Sequence, residues 1–210
     1  MQSSAATAIK RQRIIELSAG VMNKIVNIDT IHEGWGKFLI ATIRLKSGEE
    51  VRREIEDHGR VVSVLPYDPE RRCALLIRQF RPPVFLAAKQ KDILEAIAGI
   101  AESKRPSDCA KREAFEETGL KLKTLEHIGR VWTSPGVSTE RVDMYLAPYA
   151  ETDRKGEGGG LAEEHEDITI VEMPLDELAA LADSGKLTDV KALLLVQTLR
   201  LRRPDLFGQD

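Results

Sequence analysis

The residues best equipped for chemistry in this 210-residue sequence are five acids crowded between positions 98 and 120. They are Glu102, Asp108, Glu113, Glu116 and Glu117. Pro106 and Asp108 are typical of the first turn of a helix, and Gly119 is typical of a left-handed helix end. The sequence therefore predicts a helix that carries the last three of these glutamates.

The spacing of those glutamates places them on one side of the predicted helix. At about 100° per residue, Glu116 and Glu117 flank Glu113 within an arc of roughly 100°. Like charges this close repel, and a hard divalent cation that prefers carboxylate oxygens would relieve the repulsion. Arg112 can also pair with Glu116 four residues on, so the same charges fit an ordinary solvated helix face.

The surrounding pattern distinguishes these two interpretations. The stretch resembles the Nudix box, whose pattern is G-x5-E-x7-R-E-U-x-E-E-x-G-U with U apolar. Residues 112–120, REAFEETGL, match it at every defined position. The interval from Gly99 to Arg112 is one residue shorter than the pattern, and Lys104 or Arg105 stands where the first glutamate is expected.

The resemblance implies a role for each matching residue. Glu113, Glu117 and the backbone carbonyl of Ala98 would be metal ligands, Glu116 would assist them, and Arg112 would orient the glutamates. The implied cation is Mg²⁺, with Mn²⁺ as the alternative, because it polarises phosphate oxygens and activates a bound water.

Two arginines precede the box in the segment IRQFRPP. Arg78 and Arg81 lie near the end of a predicted strand, and arginine is well shaped for bidentate contact with phosphate. Taken alone, they are more simply a pair of surface arginines. The segment resembles the Nudix enzymes of nucleoside diphosphate sugars, however, which implies phosphate binding. By the same resemblance Glu95 faces the substrate.

Two segments after the box complete the expected site. The turn formed by Ser134, Pro135 and Gly136 resembles a family loop at the pocket, and Glu140 beside it would contact the sugar end of the substrate. Residues 151–166 are rich in glycine and acid, which is typical of a mobile loop and also of a lid that closes over a site. The resemblance favours Glu164, then Glu166, as the catalytic base, and we interpret His165 as a solvated loop residue.

Composition narrows the protein class. With 42% hydrophobic and 31% charged residues, the sequence is typical of a soluble globular protein, and its net charge of -3 argues against nucleic-acid or anionic-membrane binding. Cys73 and Cys109 have apolar neighbours, so we expect buried, reduced thiols. No apolar run is long enough for a membrane span and no signal-peptide core is evident, which predicts a cytoplasmic protein.

The organisation of the sequence predicts an α+β fold. We expect a flexible N-terminus over residues 1–20, three short strands over 21–56, the main domain over 57–203 and a tail over 204–210. Residues 93–99 are expected to form one short strand. The helix from 190 to 200 is expected to be capped by Thr188 and Asp189 and to be buried on nearly all sides. The resemblance implies the Nudix α/β/α sandwich with a mixed sheet, and a homodimer formed by the small N-terminal antiparallel sheet.

The implied function is Mg²⁺-dependent hydrolysis of a nucleoside diphosphate sugar, with GDP-mannose or ADP-ribose as substrate. The products would be a nucleoside monophosphate and a sugar phosphate. The alternative is a Nudix-like module that binds a nucleotide sugar without cleaving it, and the missing first glutamate of the box favours that alternative. The intact REAFEE segment and the later acids favour the enzyme.

Overall fold

The computed structural model describes residues 22–161 and 167–208 of the chain. The chain divides into two compact units, Met1–His58 and Gly59–Asp210. None of the described helices is both long and apolar enough to cross a membrane.

The N-terminal unit contains an antiparallel sheet of three strands in the order β1-β2-β3. The strands are β1 (Lys24–Glu33), β2 (Lys37–Arg44) and β3 (Glu50–Asp57). Every residue of the edge strand β1 is exposed, whereas Ala41 in the central strand is fully buried. A sheet this small buries little apolar surface on its own.

The second unit is built on a mixed seven-stranded sheet. Its strands are β4 (Arg60–Asp68), β5 (Cys73–Gln79), β6 (Ile93–Glu95), β7 (Ile97–Ile100), β8 (Glu126–Trp132), β9 (Arg141–Pro148) and β10 (Thr169–Pro174). The main path runs β10-β5-β4-β9-β8, with β6 paired to β5 and β7 paired to β4. The β4–β9 pair is parallel and the other pairs are antiparallel.

The helices of this unit are α1 (Pro82–Ala88), α2 (Pro106–Thr118), α3 (Leu175–Asp183) and α4 (Val190–Arg202). Helix α2 covers one face of the sheet and α3 and α4 cover the other, whereas α1 has no buried residue. Alternate residues of β4 and β5 point to opposite faces, so Val64 joins the core beneath α2, and Leu65 joins the core beneath α3 and α4. The result is the α/β/α sandwich expected from the sequence.

Helix α2 begins and ends where its sequence predicts. Pro106 opens it, Asp108 lies in its first turn, and Gly119 ends it with φ of 72°. A Cβ at Gly119 would also lie 2.0 Å from the carbonyl oxygen of Gly156, so glycine is needed there both for its backbone angle and for the close approach.

Three expectations need correction. Residues 93–99 form two strands, because the chain changes partner at Ala96 from β5 to β4. Helix α1 was not predicted, because Pro82 and Pro83 resemble a helix breaker although proline fits the first turn. Helix α4 has its buried residues, Ala192, Leu195, Val196 and Leu199, along one stripe, whereas Val190 is 54% exposed and Leu194 is 38% exposed. The two cysteines are buried and free, as expected.

Candidate functional site

The expected metal-binding helix lies directly against the strand that precedes it. A Cβ built on Gly99 in β7 would lie 2.0 Å from Cδ of Glu113 and 2.2 Å from its Oε1. The carboxyl group of Glu113 therefore occupies the space left by the missing side chain. This contact places the box glutamate against Gly99, the residue after Ala98, whose carbonyl the family resemblance implies as a metal ligand.

The three glutamates of α2 are all substantially enclosed. The side chains of Glu113 and Glu116 are 12% and 21% exposed, and Glu117 is buried. Arg112 contacts two of them, with Nη2 2.5 Å from Glu113 Oε1 and Nη1 2.8 Å from Glu116 Oε2.

The same contacts affect the pKa of Arg112. Burial opposes the charged guanidinium, but Glu113, Glu116 and then Glu102 outweigh it and raise the pKa of Arg112. Glu102 is thus an acid close to Arg112 in a segment where the box's first glutamate is replaced by a basic residue. This geometry agrees with the predicted role of Arg112 in orienting the glutamates.

A second ion pair links Arg81, which lies two residues after the end of β5, to Glu95 in β6. Arg81 donates from Nε to Glu95 Oε1 at 2.7 Å and from Nη2 to Oε2 at 3.1 Å. Burial lowers the pKa of Arg81, but the hydrogen bond and charge of Glu95, with contributions from Glu117 and Asp189, leave it raised. Glu117 is therefore close enough to Arg81 to connect the helix electrostatically with this pair.

Asp189 and Lys191 are functional candidates that the sequence did not reveal. The sequence predicts Asp189 only as a helix cap. Lys191 Nζ lies 2.7 Å from Asp189 Oδ1 and 3.7 Å from Glu95 Oε2. A signal for this lysine existed, because the helix dipole disfavours a cation in the first turn of α4. The contact between α4 and the β6–β7 segment, however, joins residues more than ninety positions apart in the chain, and one sequence does not reveal such proximity.

The described part of the glycine-rich segment is hydrogen-bonded to the end of α2. Gly159 N donates to the carbonyl of Glu117 at 2.8 Å, and Gly160 N donates to that of Glu116 at 3.1 Å. These carbonyls belong to the last turn of the helix, where the helix itself supplies no donors. Gly159 and Gly160 therefore supply donors to the last turn of α2.

Two further predicted residues have partners that lie outside α2. Arg78 pairs with Asp92 at 2.9 Å, and Glu140 accepts a hydrogen bond from Thr133 Oγ1 at 2.7 Å. Arg81 is thus influenced by the charge of Glu117 in α2, whereas Arg78 and Glu140 have their partners on other segments. The predicted bases Glu164 and Glu166, together with His165, lie outside the described residues.

The donor set determines which cation the site suits. Across residues 22–161 and 167–208, no three His, Cys, Asp or Glu side chains converge closely enough to enclose a metal ion by themselves. The predicted ligands, which are Glu113, Glu117 and the backbone oxygen of Ala98, would supply only oxygen donors. Such donors suit Mg²⁺, because this ion keeps waters and substrate oxygens as its other ligands.

A cavity of about 570 Å³ lies elsewhere on the second unit and contains none of the predicted site residues. Its lining is Arg71, Leu75, Glu151, Arg154, Ile170 and Glu172. Arg71 is paired with both Glu151 and Glu172, so its charge is already neutralised within the cavity wall.

Comparison with known proteins agrees with this fold. The chain resembles GDP-mannose pyrophosphatases, with 39% identity over 160 residues to that of Cronobacter sakazakii, covering 75% of this chain and 83% of the relative. Identity to the enzyme of Pectobacterium atrosepticum is 35% over 163 residues, covering 76% and 83%. A crystal structure of an ADP compounds hydrolase has the same fold, with a TM-score of 0.70 and 17% identity, covering 88% of this chain and 96% of that chain.

The match to a family model covers the part of the chain that carries these residues. The model described as NUDIX domain matches residues 57–194, which include the α2 glutamates, Arg81, Glu95 and Asp189. Members of this family generally depend on a divalent metal. With its sandwich fold and its REAFEETGL helix, the chain belongs to the Nudix family.

Proposed function

We propose that this protein hydrolyses the diphosphate of a nucleoside diphosphate sugar to a nucleoside monophosphate and a sugar phosphate. GDP-mannose is the first substrate to test, and ADP-ribose is the second. The observation that carries the proposal is the packing of Glu113 into the space above Gly99, which sets the glutamate helix against the strand that contains Ala98. The names of the similar pyrophosphatases support the choice of GDP-mannose.

The metal ligands in this proposal are Glu113, Glu117 and the Ala98 carbonyl, and the cation is Mg²⁺ or Mn²⁺. When bound, the cation polarises the diphosphate and lowers the pKa of a bound water. Glu116 adds negative charge beside these ligands. Arg112 limits the repulsion among the glutamates through its contacts with Glu113 and Glu116.

Phosphate binding is assigned to Arg78 and Arg81, and substrate contacts are assigned to Glu95 and Glu140. Arg81 is already held by Glu95 at both of its contacting nitrogens, so this arginine meets the substrate in a fixed orientation. Such preorganisation reduces the conformational entropy lost on binding. Lys191, 3.7 Å from Glu95, adds a second cation beside the same carboxylate.

The general base is assigned to Glu164, with Glu166 as the alternative. Proton abstraction requires a carboxylate within hydrogen-bonding reach of the attacking water. Glu164→Gln and Glu166→Gln should therefore differ in turnover number, with the larger loss at the base. Equal, mild losses in both variants would remove the base from this segment.

The decisive experiment is a substrate panel with and without Mg²⁺. Purified protein should release monophosphate from GDP-mannose or ADP-ribose only with the metal. Glu117→Gln should nearly abolish turnover without loss of the fold, whereas Glu70→Gln, at an exposed turn residue, should leave it unchanged. Turnover by Glu117→Gln equal to wild type would refute the metal assignment.

The competing candidate is a module that binds a nucleotide sugar without cleaving it. The similar proteins from Cronobacter and Pectobacterium are named as pyrophosphatases, which favours the enzyme. Tight binding of a nucleotide sugar with no product from any diphosphate sugar would support the binding module instead.

We further propose a cytoplasmic homodimer in which residues 21–56 form the interface and residues 57–203 form the catalytic domain. The exposed isoleucines of β1 support this assignment, because Ile25, Ile28 and Ile31 are each more than half exposed. Ile28→Asp should shift the protein from dimer to monomer in light scattering. A dimer of unchanged strength would place the interface elsewhere.

A further inference from the structure

The side chain of Asp189 does more than begin helix α4. It is 5% exposed, and its Oδ2 accepts hydrogen bonds at 3.1 Å from both Ala192 N and Ala96 N. Its Oδ1 accepts from Lys191 N at 3.4 Å and from Lys191 Nζ at 2.7 Å. A helix cap needs only the bonds to the first-turn amides, so the contacts with Ala96 and with the lysine ammonium require another explanation.

The contact with Ala96 lies where the chain changes strand partner. Glu95 is the last residue of β6 paired to β5, and Ile97 is the first residue of β7 paired to β4. The amide of Ala96 falls between these two ladders and is buried, and such an amide is costly without an acceptor. Asp189 supplies that acceptor from α4, 93 positions away in the chain.

The position of this clamp matters because residues on both sides of Ala96 belong to the proposed site. Glu95 precedes it and holds Arg81 at 2.7 Å and 3.1 Å. Ala98, whose carbonyl is a proposed metal ligand, follows two residues later. A shift of the Ala96 peptide would therefore displace the substrate-facing carboxylate and the metal-facing carbonyl together.

The contact with Lys191 orients a cation. Lysine in the first turn of a helix is repelled by the dipole and would ordinarily extend into solvent. Here its side chain is only 18% exposed, held by Asp189 with its ammonium 3.7 Å from Glu95 Oε2. The charged groups contact one another in the order Asp189, Lys191, Glu95 and Arg81. Negative and positive charges therefore alternate, and the four charges sum to zero.

We propose that Asp189 is a positioning residue, which fixes the Ala96 peptide and aims Lys191 at Glu95 without touching the substrate itself. This inference rests on the proposed hydrolase function.

Two substitutions separate the two contacts. Asp189→Asn keeps one oxygen for Ala96 and Ala192 but removes the negative charge that holds the lysine. Asp189→Ser keeps a residue that can cap the helix. Its single hydroxyl oxygen lies on a shorter side chain, so the variant loses the hydrogen bonds to the Ala96 amide and to the Lys191 ammonium. We expect kcat/KM for GDP-mannose to fall about 10-fold in Asp189→Asn and about 100-fold in Asp189→Ser, the range found when groups that orient ligands are removed.

A double variant tests whether the loss of kcat/KM in Asp189→Asn arises because Lys191 is no longer oriented. In a Lys191→Met background, Asp189→Asn should cause no further loss of kcat/KM. A further loss of about 10-fold in that background would overturn the assignment of Lys191 as the residue that Asp189 orients.

Amide hydrogen exchange tests the clamp without any reaction. The Ala96 amide should be protected in wild type and in Asp189→Asn and should lose protection in Asp189→Ser, while Val64 in β4 stays protected in all three. Protection of Ala96 in Asp189→Ser would overturn the clamp. The positioning role would be overturned if cooling restored kcat/KM of the Asp189 variants in parallel with their stability. Such a result would indicate that the variants lose activity only because they are less stable.

The failure of the proposed function would give a different result. Wild type would then release no monophosphate from any diphosphate sugar, whereas the exchange pattern at Ala96 would still support or overturn the clamp by itself.

Discussion

The carboxyl group of Glu113 fills the space above Gly99, where a Cβ would lie 2.0 Å from Glu113 Cδ. Real Cβ atoms essentially never approach another heavy atom closer than 3.0 Å, so a methyl group at residue 99 must displace the carboxylate or push α2 away from β7. The close approach thus couples the identity of one strand residue to the position of a proposed metal ligand.

Gly99→Ala should lower kcat roughly 100-fold, because a shift of about 1 Å in a positioned group costs this much. Steady-state kinetics at saturating Mg²⁺ would measure the loss. Gly208→Ala is the matched control, since a Cβ there meets Asp176 only at 3.6 Å, an ordinary contact. Equal activity of both variants would show that Glu113 can move without consequence.

Arg112→Lys should weaken Mg²⁺ binding and activity by about 10- to 100-fold, the range seen when a residue that orients metal ligands is removed. Arginine reaches Glu113 and Glu116 with two separate nitrogens, and one ammonium cannot reproduce this fork. A Mg²⁺ titration of activity would measure the change. Arg105→Lys, at a side chain that is 80% exposed, is the control and should match wild type.

Arg81 and Glu95 should behave as one unit. Arg81→Met and Glu95→Gln each leave the partner charge without its ion pair, so the double variant should lose little more kcat/KM than the worse single variant. We expect a coupling free energy of about 1–3 kcal/mol from the double-mutant cycle. Losses that simply multiply would indicate that Arg81 binds phosphate independently of Glu95.

Asp153 should make stability depend on pH. The hydrogen bond from Lys123, and then that from the Ala150 amide, hold the pKa of this carboxyl below its ordinary value of 3.8. A carboxylate with a lowered folded-state pKa stabilises the fold above the unfolded-state value, and this contribution is lost as pH falls through the folded-state value.

Asp153→Asn should therefore unfold at lower urea concentration than wild type at pH 7. The difference should shrink on acidification from about pH 4 downwards, once wild type loses the same charge. Lys123→Met should show the same trend because it removes the first cause of the shift. A difference that stays constant with pH would contradict this account.

Gly158→Ala should destabilise the fold more than Gly185→Ala. The two glycines have φ of 72° and 71°, but a Cβ at Gly158 would lie 2.6 Å from the backbone of Thr118, whereas Gly185 has open space. The backbone angle alone costs about 1–2 kcal/mol in each variant. Overpacking adds about 1–3 kcal/mol at Gly158. Equal urea midpoints for the two variants would show that the backbone around Gly158 can shift to accommodate a Cβ without loss of stability.

Much of the fold was predictable because its signals are local. The proline and acid at the start of α2 and Gly119 at its end define the helix within a few neighbouring positions. The strand exchange at Ala96 was not predictable, because the run through residues 93–99 carries no turn signal and only the pairing partner changes.

The candidate site divides in the same way. Glu113, Glu116 and Glu117 form a pattern within one helix, and a single sequence displays it. Asp189 and Lys191 reach the β6–β7 segment only through the packing of α4 against the sheet, so their role depends on contacts across the chain. The cap at Asp189 was predicted correctly, because capping is local, but its second contact was not.

The bonds from Gly159 and Gly160 to the carbonyls of Glu117 and Glu116 complete the last turn of α2 from outside the helix. Carbonyls in this turn have no donor within the helix itself. The end of the helix on which Glu116 and Glu117 lie is therefore held by a later segment of the chain. Loosening residues 159 and 160 would free that helix end with no change at either glutamate.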